Sequence, residues 1–332
     1  MKIMKTILPE EFLGKLKKQK YQVVGRHSGV KACRWTRKAL TGGGFCYKQK
    51  FYGIQSHRCL QMTPTIGFCT NHCLHCWRVE PEDINIQWDE QLIENLEDPD
   101  PPSEIVEGCL KAQKRILSGY KPTGHKKVTW EKWKEAMEPT QVAISLSGEP
   151  TLYPFISELI DTLNARNMTT FLVSNGTRPK VIENLSKPTM FYISVYGPDK
   201  PTYLRVARPI EPNNWEKLNE SLELMNNFNS NTVLRLTLIN GLNLLHPEGY
   251  AKLIEKANPT FVEAKAYMYV GYSRSRLNFE HMPEFSQIQD FAGQLSTLTG
   301  YKILDESAPS RVVLLSKLDK KINISKNSVK QY

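Results

Sequence analysis

No stretch of this chain approaches the twenty or so consecutive apolar residues that a membrane-crossing helix needs. Its start, Met1-Lys2-Ile3-Met4-Lys5, lacks the apolar centre of a secretory signal. A cytoplasmic protein with no membrane partner is the expectation. Acidic residues are almost missing from the first 57 positions, where thirteen Lys and Arg face only Glu10 and Glu11. That segment carries +11 of a total of +10, so everything after it sums to −1. Cysteine is absent beyond Cys109, and six of the seven lie between Cys33 and Cys76. An odd count crowded into one region suits metal ligation in a reducing compartment better than a disulfide framework. Cys109 falls in a helical pattern and reads as a plain core residue.

What is present begins with the basic arm. A positive segment on a nearly neutral body points to a polyanion, and nucleic acid fits because Lys and Arg supply most non-specific affinity by neutralising phosphates. Tyr21, Trp35, Tyr47, Phe51 and Tyr52 interleave the charges, a placement that would let rings stack on unpaired bases. A merely solvated charged face is the ordinary alternative.

With 332 residues the chain can form one large α/β domain or two small ones. Residues 9–20 read as a short Lys-faced helix and 21–25 as a strand. A strand over 60–67 contains Pro64, which predicts a position at an open sheet edge. Residues 80–108 are acidic and Pro-rich, an insertion before or around a helix at 103–118, and 121–138 look like a surface excursion. From Gln141 strands and helices alternate: strands over 142–146, 170–173, 190–195, 233–239 and 261–269; helices over 154–167, 179–185, 214–227, 247–258 and 284–298. With the strand before Cys69 this makes six β/α units, an α/β fold with a parallel sheet wholly or partly closed into a (β/α)6 TIM-like barrel. Polar, Gly-containing segments follow each strand, and such loops gather at the end where barrel enzymes keep their chemistry. The chain closes with a hairpin, 302–305 with 312–315, and a basic, poorly ordered end. The expected division is a basic, Cys-containing extension over 1–59, the barrel over 60–300, and the hairpin and tail over 301–332.

The chemistry centres on Cys69, Cys73 and Cys76, spaced C-x3-C-x2-C. Three thiolates grip a metal centre without saturating it: a structural zinc wants four ligands, whereas a 4Fe-4S cluster on three cysteines leaves one iron open. This spacing resembles that of the radical S-adenosylmethionine (SAM) enzymes, with one departure: the residue before the last cysteine, usually aromatic there, is His75. Ser147-Gly148-Glu149-Pro150 follows the second strand, where a glycine lets backbone carbonyls approach an ammonium group. It resembles the superfamily's SAM amino-group motif, with an ordinary turn as the alternative. Ser174 and Asn175 are candidates for ribose hydroxyls, or for a helix N-cap. Ile239 and Gly241 echo the adenine-side motif.

Cys33, Cys46 and Cys59 form a second triplet, C-x12-C-x12-C, unlike common zinc-finger spacing. Spare thiols are the alternative. This triplet, the block Gly44 to Gly53 and the run Cys69 to Arg78 together resemble tRNA 4-demethylwyosine synthases, and the likeness extends through Ser145 to Leu152, Tyr203 to Pro209 and Gly271 to Leu277. The resemblance implies two 4Fe-4S clusters, SAM as cofactor, and conversion of N1-methylguanosine at position 37 of phenylalanine tRNA into a tricyclic base with pyruvate. SAM cleavage would yield a radical that takes hydrogen from the N1-methyl group, followed by addition to C2 of pyruvate, loss of C1 and ring closure. It further implies that Lys48 forms a Schiff base with pyruvate, with Lys50 as competitor and a phosphate contact as the alternative for either, and that the second cluster's open iron chelates the pyruvate carboxylate. Arg205, Arg208, Arg274 and Arg276 are candidates for tRNA phosphates. No flavodoxin-like segment is found, so a separate electron-donor protein is expected to serve a monomer. Competing readings are another radical SAM enzyme, such as a tRNA methylthiotransferase or glycyl-radical activase, and a non-catalytic metal-binding RNA module.

Overall fold

The computed structural model describes residues 6–124 and 127–325; the Met1–Lys5 start and the basic end at 326–332 lie outside them. Ten strands, β1 Gln22–Val24, β2 Ser28–Val30, β3 Cys59–Thr63, β4 Gln141–Ile144, β5 Thr169–Ser174, β6 Met190–Val195, β7 Asn231–Leu238, β8 Phe261–Ala266, β9 Lys302–Ser307 and β10 Val312–Ser316, make one sheet. Their spatial order is β1-β2-β3-β4-β5-β6-β7-β8-β10-β9. Strands β3 to β8 are parallel neighbours. Antiparallel pairs flank them, β1 with β2 against β3 and β9 with β10 against β8. Those hairpins occupy the positions where β3 and β8 would meet, so the six-unit sheet is an open one and not a closed barrel.

Strand alternation divides the sheet into two chemistries. Leu172, Phe191, Ile193, Leu234, Leu236, Val262 and Ala264 share a core with apolar residues of the helices Pro102–Ser118, Ile156–Asn164, Asn214–Asn226, Pro247–Ala257 and Phe285–Thr299. Their neighbours point the other way. On that second face Phe171, Met190, Tyr192, Val233, Phe261, Val312 and Leu314 meet Tyr47, Phe51, Tyr52 and Ile54. The helix Tyr47–Tyr52 has only six residues, far too few to stand alone in water. Burial of its rings, at about 1.5–3 kcal/mol for a large apolar side chain, holds it against the sheet.

Three expectations change here. Strand β3 is interior, between β2 and β4, because the β1–β2 hairpin covers its outer side; Pro64 escapes the ladder by falling one residue past Thr63. The 121–138 excursion contains the helix Trp130–Ala136, whose Ala136 packs with Leu40, Leu117 and Val128 and whose Trp133 donates to Leu117 O at 2.9 Å. Of the arm's five aromatics, Tyr21, Tyr47, Phe51 and Tyr52 are buried and closed to RNA bases; only Trp35 is partly exposed. Amphipathic rings serve a core as readily as a nucleic-acid surface, and sequence position does not separate the two. Among the described residues no helix is long and apolar enough to cross a membrane.

Candidate functional site

Because β3 to β8 are parallel, the segments that follow them emerge along one edge. The first carries Cys69, Cys73 and Cys76, all free thiols, the first two buried and the third partly so. Its backbone is clipped to the stretch after Tyr203: His72 N donates to Arg208 O and Leu74 N to Val206 O, each at 3.0 Å, and Ile210 N donates to Thr70 O at 2.9 Å. Arg78, nearly wholly buried, donates to Asn71 O at 2.6 Å and pairs with Glu90 at 2.9 Å. Glu90 also meets His72, so the acidic 80–108 insertion supplies an inner wall of the site. Burial raises all three thiols, Cys69 to about 12, and the neighbouring thiol charges push Cys73 further up. Ligation by a metal centre would release those protons.

Gly148 lies where β4's following loop crosses this segment. It has φ +80°, and a Cβ there would sit 1.9 Å from Thr65 O and 2.4 Å from Phe68 O. Only glycine fits. Ser147 O is already an acceptor, from Thr63 Oγ1 at 2.6 Å. Glu149 is buried and fully engaged: Oε1 accepts from Thr151 N at 3.1 Å, Thr151 Oγ1 at 2.6 Å and Ser174 Oγ at 2.8 Å, and Oε2 from Asn175 N at 2.7 Å. Burial nevertheless raises its carboxyl above the usual range. Asn175 Nδ2 donates to Thr70 Oγ1 at 2.8 Å and lies 3.9 Å from Cys69 Sγ. Ser174 and Asn175 therefore brace Glu149 and the cysteine segment, a use neither the ribose nor the N-cap expectation named. His75 packs against Tyr196 at 4.6 Å between ring centroids, and its Nδ1 has no hydrogen-bond partner among the described residues.

The second triplet gathers at the opposite end of β3. Cys59 opens that strand, Cys46 caps the helix Tyr47–Tyr52, and Cys33 caps the helix Arg34–Leu40. Burial and then the charge of Cys33 raise both Cys46, to about 12, and Cys59, so the three thiols feel one another. The two triplets stand at opposite ends of β3, which spans about 13 Å at some 3.3 Å per residue. No group of three or more His, Cys, Asp or Glu among the described residues is arranged around a single metal ion. A four-iron cube is wider than one ion, and sulfur-only donor sets are what iron–sulfur clusters take.

Lys48 lies between the ends. Its Nζ sits 4.0 Å from the centre of the Phe171 ring and 4.6 Å from that of Tyr192, and it has no hydrogen bond or ion pair among the described residues. Burial, then the Arg235 guanidinium, push its amine down to about 8. Lys50 differs: it donates to Glu306 O at 2.6 Å and pairs with Asp305 at 2.7 Å, with its side chain 44% exposed. Beneath Lys48 is a network that sequence reading missed. Glu263 accepts from Tyr52 at 2.8 Å, Tyr47 at 2.9 Å, Arg235 Nε at 3.0 Å and Tyr192 at 3.3 Å. Although burial opposes it, the Arg235 charge holds Glu263 below the usual carboxylate range. The available signal was Arg235, Glu263 and Lys265 standing inside otherwise apolar strands, since buried charges need partners.

The four arginines suggested for phosphates separate. Arg276 is 9% exposed and paired with Asp83 and Glu80, Arg208 pairs with Glu82, and Arg205 donates to Leu242 O. Arg274 is exposed and has no ion pair among the described residues.

A family model described as the radical SAM superfamily matches residues 63–254, and one described as wyosine base formation matches 256–317. The chain is 50% identical over 318 residues to the S-adenosyl-L-methionine-dependent tRNA 4-demethylwyosine synthase of Pyrococcus abyssi, covering 94% of this chain and 90% of that one. The enzyme of that name from Methanocaldococcus jannaschii is 41% identical, covering 96% and 99%. The Homo sapiens relative is 35% identical over 91% of this chain and 40% of its own length. Among solved structures, one of TYW1 with a lysine–pyruvate adduct bound aligns with a TM-score of 0.84 at 39% identity, covering 96% of this chain and 99% of that one. A crystal structure of archaeal TYW1 aligns at 0.77 and 36% identity, with the same coverage.

Proposed function

This chain belongs to the S-adenosyl-L-methionine-dependent tRNA 4-demethylwyosine synthases, a radical SAM family, and from that premise we propose that it condenses N1-methylguanosine at position 37 of phenylalanine tRNA with pyruvate held on Lys48. Membership makes it an enzyme of wyosine base formation in tRNA that uses SAM and a 4Fe-4S cluster. When bound, the cluster and SAM together supply the one-electron chemistry that generates a hydrogen-abstracting radical.

In this reading Cys69, Cys73 and Cys76 hold that cluster, and the backbone around Ser147, Gly148 and Glu149, braced by Ser174 and Asn175, shapes the SAM side of the site. Cys33, Cys46 and Cys59 hold a second 4Fe-4S cluster, making residues 1–59 a ligand-bearing extension of the 60–300 body, with 301–332 as its terminal hairpin and tail. The neutral Lys48 amine attacks the pyruvate ketone, a C–N bond forms and the ketone oxygen leaves as water. Phe171 and Tyr192 exclude solvent from the amine while offering it no competing acceptor. An external electron donor, a monomeric enzyme and a cytoplasmic location complete the proposal.

The observation that carries it is the contrast between the two lysines: Lys48 rests unpaired on two rings, whereas Lys50 is spent on Asp305 and Glu306. The related TYW1 structure with a lysine–pyruvate adduct supports the same assignment of chemistry. The test is anaerobic incubation with SAM, pyruvate, dithionite and tRNA bearing N1-methylguanosine, followed by nucleoside mass spectrometry. The 4-demethylwyosine mass should appear only when all four are present; a product formed without pyruvate overturns the proposal.

A further inference from the structure

The segment after β8 lies directly on the cysteine loop. Tyr272 N donates to Trp77 O at 3.2 Å, Arg276 donates to the carbonyls of Leu74 and Cys76, and a Cβ on Gly271 would come within 2.4 Å of Trp77 O. Just outside this clip stand Tyr269, Arg274 and Phe279. The Arg274 guanidinium is 5.2 Å from the Tyr269 ring centre, and Phe279 meets that ring edge-on at 5.8 Å and 89°. Phe279 is 61% exposed, the highest value among the large exposed hydrophobics of the described residues, and Val270 beside Tyr269 is 42% exposed. The neighbouring acid, Glu280, faces Asn278 Nδ2 at 3.4 Å.

An apolar group left in water beside an active-site mouth calls for an occupant. Its chemistry is flat and anionic. The rings offer stacking faces, Arg274 has no acidic partner among the described residues, and the other three arginines of this edge are already engaged. A base that must leave its stack to react also leaves a neighbour without a stacking partner. We propose that Tyr269, Arg274 and Phe279 form a platform that stacks an unpaired base of the tRNA anticodon loop next to the base being modified. This rests on the reading of the target as a nucleotide beside the anticodon.

The full-length enzyme is compared with Phe279→Ala, Phe279→Leu, Phe279→Trp and Arg274→Gln by fluorescence anisotropy with phenylalanine tRNA over a range of salt. Phe279 is exposed, so its loss opens no cavity, and unchanged melting temperatures check the fold. Phe279→Ala and Phe279→Leu should each weaken binding by about 5- to 100-fold with no change in salt slope, the effect of removing one ring from beneath one base. Phe279→Trp should bind at least as well as the parent. Arg274→Gln should lower the salt slope by about one unit. Parent-like binding by Phe279→Leu would mean that apolar bulk, not a ring face, is what matters, and would overturn the platform. So would unchanged tRNA binding with slower reduction by an electron-donor protein, which would make the patch a protein-docking face. If the parent makes no tricyclic base from N1-methylguanosine, the substrate reading itself fails; an active parent indifferent to Phe279 removes the platform alone.

Discussion

The Tyr47 hydroxyl donates to Glu263 over 2.9 Å although 216 residues separate the two in sequence. This bond joins the short helix that carries Lys48 to strand β8. With Tyr52, Tyr192 and Arg235 on the same carboxylate, it makes Glu263 the anchor of the face on which Lys48 lies.

Removing that anchor should be costly. Glu263→Ala leaves the Arg235 charge buried without its carboxylate, a change worth about 3–5 kcal/mol of stability. Tyr47→Phe removes two hydrogen bonds to charged groups, the one donated to Glu263 and the one accepted from Arg235, at about 1.5–3 kcal/mol each. Urea unfolding should show a lowered midpoint with an unchanged slope for both. The double variant should lose less than the sum, because the two share one network. Full additivity would contradict the anchor.

Gly148→Ala should disable the SAM side of the site. A Cβ at φ +80° is strained in itself and here runs into two backbone carbonyls that cannot swing away as a side chain would. The expected outcome is loss of 5′-deoxyadenosine formation by at least about 100-fold, read by chromatography after anaerobic reduction. Parent-like cleavage would show that the loop shifts freely.

Metal content tests the second triplet independently of activity. After anaerobic reconstitution the parent should hold about eight irons per chain, and Cys33→Ala about four. Equal iron in both would make Cys33 a spare thiol.

Lys15, Lys17 and Lys18 close the helix Glu10–Lys18, whose opposite side buries Phe12 and Leu16. Reversing the three charges should weaken tRNA binding and flatten its salt dependence by about one unit for each phosphate that these lysines neutralise in the parent. An unchanged slope would leave those lysines a solvated face.

The parallel order of β3 to β8 was legible because strand and helix periods differ and because Gly-bearing loops punctuate them. Met190–Val195 emerges with the bounds read from its apolar run. At the open edges 21–25 and the hairpin 302–305 with 312–315 were legible and emerge as β1, β9 and β10; the three-residue β2 was not, being too short for a periodic signal, and its pairing with β3 turned a supposed edge strand into an interior one. At the site, cysteine spacing is local and can be read directly. Glu263 and Arg235 reach Tyr47 only through folding, so nothing near Lys48 in sequence announces them. Tyr47 and Tyr52 looked like RNA-stacking rings for the same reason, since alternation with lysines describes a chain and not the side from which it is covered.

In the proposed reaction Lys48, and not Lys50, takes pyruvate. The direct measurement is borohydride reduction of the anaerobic enzyme with isotopically labelled pyruvate, followed by peptide mass spectrometry of the parent, Lys48→Met and Lys50→Met. Label should lie on Lys48 in the parent and in Lys50→Met, and be absent from Lys48→Met, which should also make no tricyclic base. Label on Lys50, or a fully active Lys48→Met with no labelled lysine, would contradict the assignment.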